Sequence, residues 1–279
     1  MDNETMKQIE SAQNPEVKAL VKLRKRRDRD QSGLFLIEGY RELLRAVEND
    51  FPIQKLYICP ELFLGSNEGE LIRNIRSKGT EIIQCSPKAF EKVSYRDRPD
   101  GLIGIAPQIE RKLTDLEALF KEKDSPLLVV AEAIEKPGNL GTILRSSDAV
   151  GVDGVLVCDR CTDIHNPNVV RASVGTLFTV PVLESDGDET LAYLRENGVK
   201  ILAATPDGDT LYTETDLTGP LAIALGTEQL GLSDKWMEQA DLRVRIPMQG
   251  CADSLNVAMA STALLFEAAR QRREKAKEA

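Results

Sequence analysis

Apolar residues along the chain follow two alternating spacings, and this alternation predicts a protein of the α/β class. Short apolar runs predict strands, whereas apolar residues three or four positions apart predict helices. In the front half, the predicted strands cover residues 34–37, 53–59, 81–84 and 102–106, and the predicted helices cover residues 17–27, 38–47, 70–77 and 87–93. Strands and helices that alternate over so short a stretch predict a small α/β domain.

The strands of the second half are more apolar, as buried strands of a parallel sheet are. They are predicted at residues 127–131, 154–157, 201–204, 221–225 and 242–246, with helical segments between them. This order predicts a parallel sheet with helices on both faces. A highly charged stretch separates the halves, so we expect a front domain over residues 1–108, a linker over 109–124 and a second domain over 125–279.

The composition, with 42% hydrophobic and 29% charged residues, is typical of a soluble globular protein. The sequence has no run of about 18 apolar residues, which excludes a membrane-spanning helix. The first residues are polar and acidic and do not form a signal peptide, so we expect a cytoplasmic location.

The five cysteines are too few and too scattered for a disulfide framework. Cys158 and Cys161 form a C-x-x-C pair, but a zinc site needs about four ligands. The sole histidine, His165, and the distant Cys251 would have to complete the set. We therefore expect reduced thiols at the end of a buried strand and no bound metal.

The net charge of −9 argues against indiscriminate binding of nucleic acids, which depends on cations that neutralise phosphates. Residues 18–29 differ from the rest of the chain, with seven basic residues against Asp28. Two interpretations stay open: a solvated helix face, or a patch that contacts phosphates. The patch is slightly favoured, because its charges have one sign and lie beside apolar residues. Its contact residues would be Lys22, Arg24, Lys25, Arg26 and Arg27.

Three segments combine the residue types that a binding site needs, and each follows a predicted strand. The first, residues 135–148, has a Pro137-Gly138 turn before a helix that Asn139 could cap, with Arg145 nearly two turns into that helix. A helix start with a nearby arginine suits an anionic group such as phosphate. A capped helix with an ordinary surface arginine explains the same pattern equally well.

The second segment, residues 224–232, is a loop with Gly226, Glu228 and Gly231 after a strand, where ligands of open α/β sheets bind. A plain connecting loop is the alternative. The third segment, residues 245–260, leads into a long helix that Ser254 could cap. That helix is apolar almost all round, so we expect it in the core or at a subunit contact.

Singly these segments are weak signals, but in this order they resemble the SpoU/TrmH family of RNA ribose 2′-O-methyltransferases, part of the SPOUT superfamily. The resemblance covers residues 126–273. PGNLG at 137–141 with Arg145, LGTEQLGL at 225–232, and IPM at 246–248 with SLNV at 254–257 are similar to the three family motifs. RASVGTLF at 171–178 is similar to a further family stretch.

The front half, with FLIEG at 35–39, resembles the ribosomal-protein-like (L30e-like) RNA-binding domain that precedes many members of the family. Two residues depart from the family pattern. Lys136 stands where the family often has Asn, and Asp253 stands where Glu usually precedes the Ser-Leu-Asn motif. Both lie beside motif positions, so they bear on substrate detail more than on activity.

The resemblance implies a C-terminal trefoil knot, a homodimer with its active site near the subunit contact, and S-adenosylmethionine as methyl donor. It implies donor contacts from Gly226, Ile246 and Leu255, largely through backbone atoms, with Thr205 and Met248 along the same pocket. It implies a catalytic set of Asn139, Arg145, Glu228, Ser254 and Asn256. We expect Arg145 to hold the phosphate beside the target ribose, because an arginine with a pKa above about 12 is an awkward general base.

The expected substrate is a ribose of large-subunit (23S) ribosomal RNA, and the additional front domain favours it over transfer RNA, the alternative substrate. A non-catalytic RNA-binding factor of ribosome assembly is a second alternative, and the complete catalytic set argues against it. A dinucleotide oxidoreductase is excluded, because no glycine fingerprint follows the first strand of the second half.

Overall fold

The computed structural model describes residues 6–278 and divides into two compact units. The first unit comprises Met1–Ile109 and His165–Thr179, and the second comprises Glu110–Ile164 and Val180–Ala279. Residues 1–5 and 279, which the predicted domains include, lie outside the described residues. Among residues 6–278, no helix has both the length and the apolar character needed to cross a membrane.

The strands, in chain order, are β1 (Lys7–Ile9), β2 (Leu34–Glu38), β3 (Lys55–Ile58), β4 (Glu81–Cys85), β5 (Leu102–Pro107), β6 (Leu127–Glu132), β7 (Gly154–Cys158), β8 (Val182–Ser185), β9 (Lys200–Ala204), β10 (Thr210–Leu211), β11 (Leu221–Leu225) and β12 (Leu242–Arg245). The α-helices are α1 (Pro15–Lys22), α2 (Arg26–Ser32), α3 (Tyr40–Glu48), α4 (Glu68–Ser77), α5 (Pro87–Val93), α6 (Glu117–Glu122), α7 (Pro137–Val150), α8 (Pro167–Ala172), α9 (Gly187–Glu196), α10 (Asp234–Gln239) and α11 (Val257–Glu278). Single 3-10 turns lie at Pro60–Leu62, Leu113–Leu116, Thr176–Phe178 and Tyr212–Glu214.

The first unit is a mixed five-stranded sheet in the order β1-β4-β3-β5-β2. The pairs β1–β4 and β4–β3 are parallel, and the pairs β3–β5 and β5–β2 are antiparallel. Strand β1 was not predicted, because its three residues at the sheet edge include the exposed Lys7 and Gln8 and only Ile9 is buried. The predicted small α/β domain is confirmed.

The basic helix predicted over residues 17–27 is two helices, and a buried arginine explains the break. The Arg29 guanidinium donates to the carbonyl oxygens of Leu23 and Arg24, each at 2.9 Å. These carbonyls lie between α1 and α2, so the side chain supplies the donors that a continuous helix would supply from its backbone. Arg29 is therefore a structural residue rather than part of an exposed basic face.

The second unit is a seven-stranded parallel sheet in the order β10-β12-β9-β11-β6-β7-β8. The central strands β6 and β11 are buried along their whole length, which agrees with their continuous apolar runs. All five strands predicted for this half are present, and the predicted α/β fold class with a parallel C-terminal sheet is confirmed. Strands β8 and β10 were not predicted.

The stretch predicted as a linker, residues 109–124, is a packed part of the second unit from Glu110 onward. Leu116 is buried in the same apolar cluster as Leu128 and Leu156 of the sheet, and Phe120 packs against that cluster. Because charged residues surround them, the sequence pattern did not reveal that four apolar residues of this stretch pack in the core: Leu113, Leu116, Leu119 and Phe120. It begins the second unit rather than joining two independent domains.

Residues His165–Thr179 group with the first unit, a grouping that the predicted domain boundaries do not contain. His165 is buried, and its Nε2 accepts a hydrogen bond from the Ile109 backbone N–H at 2.8 Å. Its ring centroid lies 4.8 Å from that of Phe35, and Phe178 lies 4.9 Å from Phe51. Aromatic packing over strand β2 therefore holds this segment, a long-range contact that no local sequence pattern reports.

Arg272 fixes the long helix α11 to the loops below the sheet. Its guanidinium donates to the carbonyl oxygens of Ser125 and Gly219, each at 2.5 Å, and to that of Leu217 at 3.0 Å. Burial lowers the pKa of Arg272. Each of these carbonyls would lose a partner if the side chain were removed, and an unsatisfied buried acceptor costs about 1–3 kcal/mol.

We predict that Arg272→Met lowers the free energy of unfolding of the second unit by about 2–4 kcal/mol. The control is Arg270→Met on the same helix, whose exposed ion pairs with Glu267 and Glu274 should contribute less than about 1 kcal/mol. The single tryptophan, Trp236, is fully buried in this unit and reports its unfolding by fluorescence in guanidinium. Equal effects of the two substitutions would contradict this role for Arg272.

Candidate active site

A cavity of about 430 Å³ opens where strands β9, β11 and β12 end. The carboxyl ends of parallel strands are where ligands of open α/β sheets bind, and this volume is within the usual range for a small-molecule site. The five residues predicted to contact a methyl donor all line this cavity: Thr205, Gly226, Ile246, Met248 and Leu255.

The loop after β11 folds back on itself so tightly that position 226 has no room for a side chain. A Cβ at Gly226 would lie 2.1 Å from the carbonyl carbon of Gly231 and 2.2 Å from the backbone nitrogen of Leu232. Reciprocal backbone hydrogen bonds between Thr227 and Gly231, at 2.9 and 3.1 Å, close the loop. Glycine at 226 is therefore a steric requirement of the cavity wall.

A buried carboxylate anchors the other end of this loop. Glu132, the last residue of β6, accepts hydrogen bonds from the backbone N–H of Ser233 at 2.9 Å and from its hydroxyl at 2.5 Å. Sequence reasoning missed Glu132 as a site-shaping residue. The signal was present, because a charged residue ends an otherwise apolar buried strand, and such a residue needs a partner.

Three polar side chains converge on the Glu228 carboxylate beside the cavity. Oε1 accepts from the amide of Asn139 and, at 3.0 Å, from the amide of Asn256, while Oε2 forms an ion pair with Lys136. The Asn256 amide also donates to Asn139 Oδ1 at 3.2 Å. The three segments singled out in the sequence therefore meet at one carboxylate, which we call the Glu228 cluster (Lys136, Asn139, Glu228 and Asn256).

The Glu228 cluster keeps its carboxylate ionised. The hydrogen bond from Lys136 is the largest cause that lowers the pKa of Glu228, and the hydrogen bond from Asn139 lowers it further. An ionised carboxylate only accepts hydrogen bonds, so it fixes the amide NH₂ groups of both asparagines toward itself. Their carbonyl oxygens accept other hydrogen bonds: Asn139 Oδ1 from the Asn256 amide at 3.2 Å, and Asn256 Oδ1 from the Ala258 backbone N–H at 3.0 Å.

Neither predicted helix cap at the site is correct. Helix α7 begins at Pro137, after an N-cap at Lys136 that makes no side-chain cap bond, and Asn139 uses its side chain in the Glu228 cluster. Helix α11 is capped by Asn256, whose Oδ1 accepts from the Ala258 backbone N–H at 3.0 Å. Ser254 therefore does not cap α11, and it lines the cavity instead.

Arg145 is the one member of the predicted catalytic set that neither lines the cavity nor hydrogen-bonds to a residue that lines it. Its side chain is exposed on α7, and it has no hydrogen-bond or ion-pair partner within residues 6–278. The residues that line the cavity do not include it. Asn139, Glu228, Ser254 and Asn256 are thus assembled in a single chain, whereas Arg145 is free on the surface.

The predicted RNA-contacting run contains one residue with a structural role. Arg24 donates to the carbonyl oxygens of Lys92 at 3.0 Å, Val93 at 2.9 Å and Ser94, at the end of α5. Its guanidinium is thereby occupied, so Arg24 is removed from the set of phosphate contacts. The other four residues are exposed: Lys22, Lys25, Arg26 and Arg27.

Three of the five cysteines are buried and two are exposed. Cys158 is buried at the end of β7, where burial raises its pKa to about 11 and its sulfur lies 3.3 Å from Thr190 Oγ1. Cys161 and Cys251 are exposed. Across the described part of the chain, no three His, Cys, Asp or Glu side chains are grouped as metal ligands.

Comparison with known proteins defines the family. A model of the SpoU rRNA methylase family matches residues 126–266, which is half of the chain, and a model of an MRM3-like substrate binding domain matches residues 14–104. The chain belongs to the SpoU rRNA methylase family. The resemblance inferred from the three motifs and the front domain is confirmed.

Full-length relatives share this architecture. The 23S rRNA (uridine(2479)-2′-O)-methyltransferase of Streptomyces viridochromogenes is 34% identical over 254 residues, which cover 88% of this chain and 86% of that protein. The 23S rRNA (guanosine(2553)-2′-O)-methyltransferase RlmP of Bacillus subtilis (strain 168) is 28% identical over 94% of this chain and 98% of its own length. The crystal structure of an AdoMet-bound rRNA methyltransferase from Sinorhizobium meliloti superposes with a TM-score of 0.85 at 29% identity, covering 95% of this chain and 98% of that one.

We predict that Lys136→Met shifts the acid limb of the pH profile of methyl transfer to higher pH. Without the ammonium group the pKa of Glu228 rises toward its usual value, so the carboxylate protonates, and the site fails, at a higher pH. Lys136→Asn should shift it in the same direction. The shift should shrink in high salt, because Lys136 is two-thirds exposed.

The control for this prediction is Lys235→Met. Lys235 also pairs with a carboxylate in the second unit, Asp159 at 3.2 Å, but it is not in the Glu228 cluster. Its removal should leave the acid limb unchanged. An unshifted profile for both Lys136 variants would show that the ion pair with Glu228 does not govern the ionisation that activity requires.

Proposed function

We propose that this protein transfers the methyl group of S-adenosylmethionine to a ribose 2′-hydroxyl of 23S ribosomal RNA. The observation that carries the proposal is the Glu228 cluster at the edge of a cavity lined by all five donor-contact residues. Membership of the SpoU rRNA methylase family supports it, as do relatives named as 23S rRNA 2′-O-methyltransferases.

The cavity suits the methyl donor in shape and charge. Apolar side chains of Ile246, Met248 and Leu255 line it beside backbone of the tight Gly226 loop, which can approach a ligand closely. The carboxylates of Asp207 and Asp253 also line it, and they favour a cationic ligand. When bound, the donor supplies an electrophilic methyl on a sulfonium, so the chain has little covalent chemistry to perform.

In the transfer the ribose 2′-oxygen bonds the methyl carbon, the methyl–sulfur bond breaks to leave S-adenosylhomocysteine, and the hydroxyl proton passes to solvent. The chain's contribution is to orient the ribose and to stabilise the negative charge that develops on the 2′-oxygen. Holding two reactants in line can supply about 7–11 kcal/mol of barrier reduction in favourable cases. Because Glu228 fixes the amides of Asn139 and Asn256, the second N–H of Asn139, the second lone pairs of the two amide oxygens and the Ser254 hydroxyl can hold the sugar in one orientation. Arg145 would bind the phosphate next to that ribose and stabilise the developing negative charge.

A homodimer explains why Arg145 lies outside the cavity of its own chain. Helix α7, which carries Arg145, packs on α11, and Ser146 Oγ and Thr262 Oγ1 lie 2.7 Å apart between them. On α11, Met259 and Phe266 are 52% and 49% exposed, and because they are seven residues apart they share one face of the helix. We propose that a second copy of the chain covers this surface and that Arg145 serves a site completed by both subunits. Sedimentation equilibrium tests the dimer.

A trefoil knot in the second unit is also part of the proposal. Backbone of the loop after β9 passes close to the backbone of strand β12 beside the cavity. A Cβ at Gly208 would lie 2.4 Å from the carbonyl carbon of Val244. A close passage between segments far apart in the sequence supports the threading of one through another. A cytoplasmic location stays a prediction.

The direct test uses RNA from cells that lack this protein. Purified protein and labelled S-adenosylmethionine are incubated with 23S ribosomal RNA and, separately, with transfer RNA, and 2′-O-methyl positions are mapped. One methylated ribose in 23S RNA is the expected result. Methylation of transfer RNA instead would favour the alternative substrate, and transfer to neither RNA would refute the proposed reaction.

We predict that Arg145→Ala reduces methyl transfer strongly and that Arg145→Lys recovers little of it. The reason is that a planar guanidinium can bind two phosphate oxygens at once, whereas an ammonium acts as a point charge. S-adenosylmethionine affinity, measured by calorimetry, should stay unchanged in both variants because Arg145 does not line the cavity. Near-native turnover of Arg145→Lys would show that the guanidinium geometry is not required.

A further inference from the structure

We propose that an arginine-lined cavity in the first unit binds phosphates of the RNA substrate, an inference that rests on the proposed function. The cavity has a volume of about 780 Å³ and lies between the start of α3, the loop after α5 and the end of α8. Arg41, Arg98 and Arg171 line it, and we call it the arginine cavity. None of the three belongs to the basic run at residues 18–29.

The three arginines are available to a ligand. Arg41, Arg98 and Arg171 are exposed, and within residues 6–278 their side chains have no hydrogen-bond or ion-pair partner. Arg96, which also lines the cavity, differs from them. Its guanidinium donates to Glu42 Oε1 at 2.6 Å, to Asp100 Oδ2 at 3.3 Å and to the Glu38 carbonyl at 2.9 Å, so it is part of the fold.

The carboxylates of the cavity mostly have partners of their own. Glu42 and Asp100 are buried against Arg96, and burial is the main cause that raises the pKa of Glu42. Glu68 is buried and accepts from the Gly65 backbone N–H at 2.8 Å. Asp97 is the remaining exposed carboxylate. The accessible charges are therefore three guanidinium groups against one carboxylate, in a chain whose net charge is −9.

The wall that carries Arg171 is held rigidly. Val174 lies at φ 54°, a conformation that β-branched residues rarely adopt, and its carbonyl accepts a hydrogen bond from Arg45. Gly175 lies at φ 82°, and a Cβ there would lie 2.9 Å from the Glu42 Cα. Backbone that is strained and tightly packed tends to occur at functional sites, where it presets the geometry.

Aromatic side chains accompany the arginines, and they favour RNA over a simple anion. Tyr40 lines the cavity, and Tyr95, which is 41% exposed, lies in the loop that carries Arg96 and Arg98. The Tyr95 hydroxyl accepts from the Asn168 amide at 2.8 Å, which fixes the ring. Arginine forks match phosphate oxygens, and exposed aromatic rings stack on unpaired bases, the two features by which single-stranded parts of structured RNA are recognised.

The test compares three triple variants of the full chain, each of which loses three positive charges from the first unit. They are Arg41→Ala/Arg98→Ala/Arg171→Ala in the arginine cavity, Lys25→Ala/Arg26→Ala/Arg27→Ala in the basic run, and Arg73→Ala/Lys88→Ala/Lys92→Ala on α4 and α5 as the matched control. Binding to a 23S ribosomal RNA transcript is measured by filter retention at several salt concentrations. Thermal unfolding and calorimetric S-adenosylmethionine binding verify that each variant is folded.

The arginine-cavity variant should bind the transcript at least about 10-fold more weakly near 0.1 M salt. Its slope of log affinity against log salt should fall by about 2, because each lost phosphate contact removes about 0.7 for single strands. The matched control should bind as the wild type does. The basic-run variant tests the earlier prediction separately, with weaker binding and a smaller slope as its expected result.

Two results would overturn the inference. The first is wild-type affinity and slope for the folded arginine-cavity variant. The second is an equal loss of affinity for that variant and for the matched control, which would show that the effect arises from net charge alone. Failure of the proposed function gives a different result: wild-type protein would bind the transcript in filter retention but would transfer no methyl group to 23S ribosomal RNA in the methyl-transfer assay.

Discussion

The Glu228 carboxylate is the point on which the organisation of the second unit depends. It accepts hydrogen bonds from residues at the starts of α7 and α11, and it lies in the loop after β11. Without a common acceptor, two asparagine amides and a lysine would have no reason to converge. Because the acceptor is ionised and has several lone pairs, it can hold all three at once. The three sequence motifs are thus brought together at one site.

The sheet makes this convergence possible. Strands β6, β9, β11 and β12 run in the same direction, so the loops that follow them emerge at one edge. Two constraints then shape the loop after β11: Gly226 has no space for a side chain, and Glu132 holds Ser233 from the end of β6. The cavity walls are consequently backbone and apolar side chains, and the Glu228 cluster lies beside them. This separation of binding surface and polar chemistry is what a transfer reaction between two bound substrates requires.

The sequence predicted those parts of the structure that depend on local pattern. The apolar runs at β6 and β11 were sufficient to place those strands. The order of the three motifs, through the family resemblance it carries, led to Asn139, Glu228 and Asn256, which the structure brings together. Long-range contacts accounted for the errors. The break after α1 depends on the hydrogen bond from the Arg29 guanidinium to the Leu23 carbonyl oxygen. Arg24 is unavailable to RNA because its guanidinium donates to carbonyl oxygens at the end of α5. The placement of His165–Thr179 depends on aromatic packing with Phe35 and Phe51. The arginine cavity likewise joins residues far apart in the chain.

The role of the Glu228 carboxylate is tested most directly by the effect of Glu228→Gln on donor binding and on methyl transfer in the same preparation. The substitution keeps the shape of the side chain but removes its charge. It should therefore break the ion pair with Lys136 and weaken the hydrogen bonds from both asparagine amides, while leaving the apolar walls of the cavity in place. Glu228 also lines the cavity, so the substitution removes one of the three carboxylates there that favour a cationic donor, and S-adenosylmethionine should bind somewhat more weakly. We expect methyl transfer to ribosomal RNA at saturating donor to fall much further, by about 100-fold, the scale of loss that small misplacement of reacting groups causes. Turnover equal to that of the wild type would contradict the central role of the Glu228 carboxylate.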